Sequence, residues 1–141
     1  MDKIKQLLLQ SDSAEKYLPG NFNFEREEAR ALQLARIISE KTGMHAEVED
    51  PSLFQDGSIF AAIPIIGHNG ELPGQVLLSR FGKLATTTEV TSSDLSAVLN
   101  IATELCGYNF IAEKFLNFTY DGKFSKFSNL TWFERYFSAF Y

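Results

Sequence analysis

Histidine, glutamate and cysteine are the residues from which this sequence could build a reaction centre, and they are few: His45, His68 and Cys106, beside a scatter of carboxylates. His45-Ala46-Glu47 has the H-x-E form of a zinc deaminase, in which a histidine holds the metal and a glutamate moves protons. That chemistry also needs a P-C-x-x-C element, and with one cysteine in the chain the cage cannot be completed. Cys106 as a nucleophile would need a base such as His45 or His68 to make the thiolate. It instead continues an apolar helical stripe and falls at the negative end of that helix, where a thiolate is disfavoured. Glu47, Glu49, Asp50 and Asp56 could supply an acid and base pair, but nothing marks a pocket that would separate their pKa values. H-E-x-x-H, EF-hand, G-x-S-x-G and phosphate-loop patterns are missing, and Gly67, Gly70 and Gly74 read as turn glycines. No catalytic residue, metal ligand or cofactor site is assigned.

Charge is more informative. Thirteen Lys and Arg against eighteen Asp and Glu leave a net charge of −5, which opposes attraction to nucleic acid or anionic lipid. Between Thr42 and Ser79 there is no Lys or Arg, while Glu47, Glu49, Asp50, Asp56 and Glu71 all fall there. Glu47, Glu49, Asp50 and Asp56 are therefore the candidate partner-binding residues, facing a basic protein through complementary charge. Lys123-Phe124-Ser125-Lys126-Phe127, near Trp132, has the interleaving used to stack single-stranded bases, but its two lysines favour a solvated hairpin with rings turned inward.

The leading reading is a noncatalytic acidic interaction module, for example a small immunity-type inhibitor that covers a cationic nuclease toxin. The alternative is a small enzyme or ligand-binding domain with a pocket between sheet and helices, where Cys106, His45 or the carboxylates converge. Lys3 and Lys5 precede an apolar run of only three residues, Leu7 to Leu9, so no secretory signal is expected and the cytoplasm is the expected compartment. Asn117-Phe118-Thr119 and Asn129-Leu130-Thr131 then match the glycosylation pattern by chance.

The elements that would position these residues follow from periodicity. A composition of 45% hydrophobic and 22% charged residues over 141 positions suits a single domain, residues 1–141, with no membrane span. A first helix is expected over 2–17, with Ile4, Leu7, Leu8 and Ser11 on one face. A second begins after the N-cap Asn23 and ends at Gly43, with Ala31, Leu34, Ala35 and Ile38 as its core stripe. His45 to Glu49 alternates as a strand with His45, Glu47 and Glu49 on one face. Residues 58–66, 75–81 and 84–90 complete a four-stranded antiparallel meander, with Asn69-Gly70 as a tight hairpin turn and Pro64 marking an edge or bulge. A helix over 91–106 has Thr91 and Asp94 as its capping box and Leu95, Val98, Leu99, Ala102, Leu105 and Cys106 as its stripe.

Asp121-Gly122 suggests a hairpin between Phe115 and Phe127, and Thr131 with Glu134 caps a final aromatic helix from Trp132. The whole predicts an α+β two-layer sandwich, a mainly antiparallel sheet with helices on one face and a C-terminal aromatic helix. Between Cys106 and Tyr141 lie 8 of 13 Phe, 4 of 5 Tyr and the single Trp. Most must be buried, but Phe137, Phe140 and Tyr141 could extend past the core as a homodimer contact.

Overall fold

The structure is a computed structural model and describes residues 2–49 and 57–138. Its centre is a five-stranded sheet in the order β1-β2-β3-β4-β5. The strands are β1 (His45–Ala46), β2 (Ile59–Ile66), β3 (Gly74–Ser79), β4 (Leu84–Thr88) and β5 (Asn109–Phe110). The first three pairings are antiparallel, so the expected meander is present. Gly82 and Lys83 turn β3 into β4 with φ of 60° and 52°, and the Leu84 N–H donates to the Phe81 carbonyl at 3.1 Å. Two consecutive positive φ values match the right-handed twist of the flanking strands.

The Asn69-Gly70 turn is longer than a two-residue hairpin. Gly67 N–H reaches the Glu71 carbonyl at 2.8 Å and β3 starts only at Gly74, so the turn is a wider loop closed on itself. The sheet also gains a fifth strand. β5 lies parallel to β4 after a helical crossover, as parallel neighbours require. Two residues are too short a run to show alternation in sequence.

Four helices flank the sheet: α1 (Lys3–Gln10), α2 (Phe24–Thr42), α3 (Ser93–Leu105) and α4 (Trp132–Phe137). They cover both faces, which corrects the expectation of helices on one face. Ile63, Ile65, Val76, Leu78 and Ala85 pack with α2 and α3 in one core, whereas Ala62, Leu77 and Leu84 pack with Leu8, Trp132 and Tyr136 in another. β2 and β3 are apolar at consecutive positions, Ile59 to Ile63 and Val76 to Leu78, and a sheet apolar on both sides must be covered on both. A bulge between Ile59 and Ala61 turns Phe60 and Ala61 to the same face.

Helix ends follow local chemistry with two shifts. Asn23 accepts the Arg26 N–H at 3.0 Å and Gly43, at φ 71°, closes α2 as expected. α3 is capped by Ser92, whose hydroxyl accepts the Leu95 N–H at 3.1 Å, while Thr91 N–H is already spent on the Pro73 carbonyl. Its buried stripe is Leu95, Leu99, Ala102 and Cys106, narrower than expected, since Leu105 is 64% exposed. α1 stops at Gln10 rather than running to Tyr17, because the carbonyls of Ser13, Glu15 and Lys16 are bound by a side chain instead. The Thr131 and Glu134 capping box is complete.

The hairpin expected between Phe115 and Phe127 is absent. Single helical turns stand at Glu113–Phe115 and Ser125–Phe127, and the segment at Thr119 pairs instead with Thr131. Tyr120 N–H donates to the Leu130 carbonyl at 2.8 Å and Trp132 N–H to that of Phe118 at 3.0 Å.

Candidate functional site

The acidic edge begins at β1. Its register sets His45 opposite Ile66 and Ala46 opposite Ile65, so one further step would set Glu47 opposite Pro64, which has no N–H to offer. The strand therefore stops at Ala46, and the ladder resumes once, where Glu49 N–H donates to the Ala62 carbonyl at 2.9 Å. Ala46 turns its outward N–H to the Ser39 hydroxyl at 3.0 Å, which closes the open edge against further strands. The expected alternation holds: Ala46 is buried and Val48 packs on the core, while His45 and Glu47 are exposed. Glu47 has a side chain 75% exposed with His45 Nε2 at 3.1 Å, and Glu49 is half-buried beyond it. Asp50 and Asp56, the other two candidates, lie outside the described residues. Glu71 serves its own loop, its carboxylate accepting the Asn69 N–H at 3.0 Å.

The residues that might have met in a pocket are kept apart by the sheet. His45 lies on one edge strand and Cys106 beside the other, four strand spacings of about 4.8 Å away, or about 19 Å. Cys106 sits in the α2/α3 core, and burial pushes its thiol up, only partly offset by Arg30. The Arg30 guanidinium donates to the Cys106 carbonyl at 2.9 Å and stands 5.8 Å from the Tyr108 ring. Burial, then the carboxylate of Glu27, drives the Tyr108 hydroxyl upward, so it stays neutral. Among the described residues no group of three His, Cys, Asp or Glu side chains gathers as metal ligands. No helix of the described residues is long and apolar enough to cross a membrane.

The aromatic segments also fall into place. Phe127 is 2% exposed in the second core and Phe124 packs against it, with Lys123 and Lys126 outside. Phe137 is 3% exposed in the same core, which corrects its assignment to a protruding contact. Phe140 and Tyr141 lie outside the described residues.

Two features escaped the sequence. Arg135 is fully buried: its Nε donates to Asp12 Oδ1 at 3.1 Å, and its other nitrogens donate to the carbonyls of Ser13, Glu15 and Lys16 at 2.8 to 3.2 Å. Its carbon centre lies 4.0 Å from the Phe127 ring and 4.5 Å from that of Phe81. Tyr120 donates its hydroxyl to the second Asp12 oxygen, and burial followed by that bond pushes it up to about 12. Only the oddity of an arginine inside an aromatic helix hinted at this, because every hydrogen-bond acceptor of Arg135 is over a hundred residues away.

The second feature is an apolar hollow of about 340 Å³ between α1 and the 115–118 turn, lined by Ile4, Leu8, Phe115, Phe118 and Trp132 with Asp2 and Lys5. Lys5 pairs with Asp121, whose carboxyl is held below its usual range by that lysine, and Trp132 Nε1 donates to the same carboxylate at 3.1 Å. Comparison with protein-family models, with curated proteins and with solved structures returned no match.

Proposed function

We propose that this protein is a noncatalytic binding module whose acidic sheet edge receives a basic protein. The observation that carries this reading is the setting of Glu47: a side chain 75% exposed, in a stretch free of Lys and Arg, on a backbone that the ladder bond at Glu49 holds in place. A carboxylate held on a fixed frame offers its charge without the ordering cost of a mobile loop. No Lys or Arg lies between Thr42 and Ser79, so that stretch supplies no permanent positive charge to offset the carboxylate. A small immunity-type inhibitor of a cationic nuclease toxin is the most concrete form of this function.

The test is association kinetics. Glu47→Gln, Glu49→Gln, Asp50→Asn and Asp56→Asn are introduced together, and partners captured by the parent are measured for on-rate at low and physiological salt. A basic partner should bind the amide variant at least about tenfold more slowly at low salt, with weaker salt dependence and unchanged unfolding. Equal on-rates for parent and variant would refute the reading.

A further inference from the structure

A cavity of about 390 Å³ lies between the start of α2 and the turn from β3 to β4. Its wall carries three cations, Arg26, Arg80 and Lys83, from two segments that meet only in the fold. Among the described residues its one carboxylate is Glu27, and that group is already paired with Arg30 at 3.4 Å. Glu25 and Glu28, the other acids at the start of this helix, do not line it. On a chain of net charge −5 the cavity is therefore locally of the opposite sign. Like charges brought together repel, and an anion that joins them relieves the cost.

Two of these cations are set by the backbone beneath them. Arg80 is 7% exposed, its N–H donates to the Ser58 carbonyl at 3.0 Å, and its guanidinium stands 5.7 Å from the Phe24 ring. A guanidinium has five N–H donors, enough to receive an anion in addition to the contacts it makes. Lys83 sits at φ 52°, in the left-handed region where glycine is the ordinary choice. The turn thus keeps a charged side chain where a smaller residue would fit with less strain, a pattern found at ligand clamps.

Charge and space together define the ligand. A phosphate monoester carries about −1.5 to −2 at neutral pH and answers three cations better than a carboxylate with its single charge. The phosphoryl group alone would leave most of the cavity unfilled, since roughly 150 Å³ already holds a benzene ring. The rest of the wall offers an aromatic surface. Phe22 lines the cavity and is itself held by Phe24 and Phe60, with ring centroids 4.8 Å and 5.3 Å away. A ring fixed by two neighbours is a ready platform for another.

From this convergence of three cations beside a fixed ring, we infer that the cavity binds a small phosphate monoester of an aromatic compound. Arg26, Arg80 and Lys83 hold its phosphoryl group, and Phe22 receives its ring. The acidic edge begins past the far end of α2, a helix of 19 residues or about 28 Å, so the two sites are separate.

Isothermal titration calorimetry of the full chain with phenyl phosphate and adenosine 5′-monophosphate tests this. Both esters should bind with Kd below about 1 mM, and more weakly as salt rises. Adenosine, which lacks the phosphoryl group, and inorganic phosphate, which lacks the ring, should each bind at least about tenfold more weakly. Lys83→Gly removes a cation while suiting the turn, so the fold should stay intact. Combined with Arg26→Gln it should weaken ester binding by at least about tenfold. Lys41→Gln removes a positive charge in the last turn of α2, away from the cavity, and should bind like the parent. The inference is overturned if neither ester binds at about 1 mM, if adenosine binds as tightly as its monophosphate, or if inorganic phosphate matches the esters. It is equally overturned if the double variant keeps the parent affinity, or if Lys41→Gln weakens binding as much as Lys83→Gly.

Discussion

At the scale of single residues, Arg135 and Asp12 carry the sharpest consequences. An ion pair with side chains 0% and 2% exposed stabilises only while both partners are present, because removing one strands the other in a medium that cannot solvate it. Arg135→Met should therefore cost about 3 to 5 kcal/mol in urea titration. Adding Asp12→Asn to that variant should recover part of the loss, whereas purely additive losses would mean the two do not interact. Tyr120 sets a pH dependence at the same place. Its hydroxyl is raised from 10 to about 12 in the folded state, so the stability it contributes is complete below pH 10 and is lost as pH rises toward 12. Stability followed by circular dichroism should fall across that window, and the fall should be shallower in Tyr120→Phe.

Elements respond according to the depth at which each face sits. Leu99 on α3 is fully buried and Leu105, six residues on, is 64% exposed. Leu99→Ala should cost about 2 to 5 kcal/mol and Leu105→Ala less than about 0.5 kcal/mol, measured by denaturant unfolding. Comparable losses would mean that α3 presents a different face to the sheet. Cys106, on the same buried side, should react slowly with iodoacetamide until the chain is unfolded.

Elements were legible in sequence where local chemistry defines them. Asn23 and Gly43 bracket α2, Thr131 and Glu134 start α4, and the exposure of His45 and Glu47 follows simple alternation. What stayed hidden depends on distant partners. The shortness of α1 is caused by Arg135, the fifth strand exists only because Lys83 and Ala85 offer it carbonyls, and Phe118 to Tyr120 pairs with the chain around Thr131 rather than across Asp121-Gly122. The candidate site was legible in its sign of charge and in the outward face of Glu47. Its geometry comes from Pro64 cutting β1 short, and the hollow between α1 and the 115–118 turn needed three separate segments to meet.

For the whole molecule, the two sides of the sheet differ in which parts of the chain they need. One core draws its buried residues from Ala31 to Tyr108, a single continuous stretch, while the other joins Leu8 to residues as late as Phe137. Tyr136 donates its hydroxyl to the Leu8 carbonyl at 2.6 Å, closing a loop of 128 residues. Contacts at such separation form late, since the closure entropy falls due before any reward. During synthesis the first core can thus assemble while α1, made first, waits with Leu7 and Leu8 uncovered until the last helix arrives. At about 5 to 20 residues per second the roughly 30 residues after Tyr108 impose a delay of seconds, during which α1 is open to chaperones or to another chain's nascent sheet.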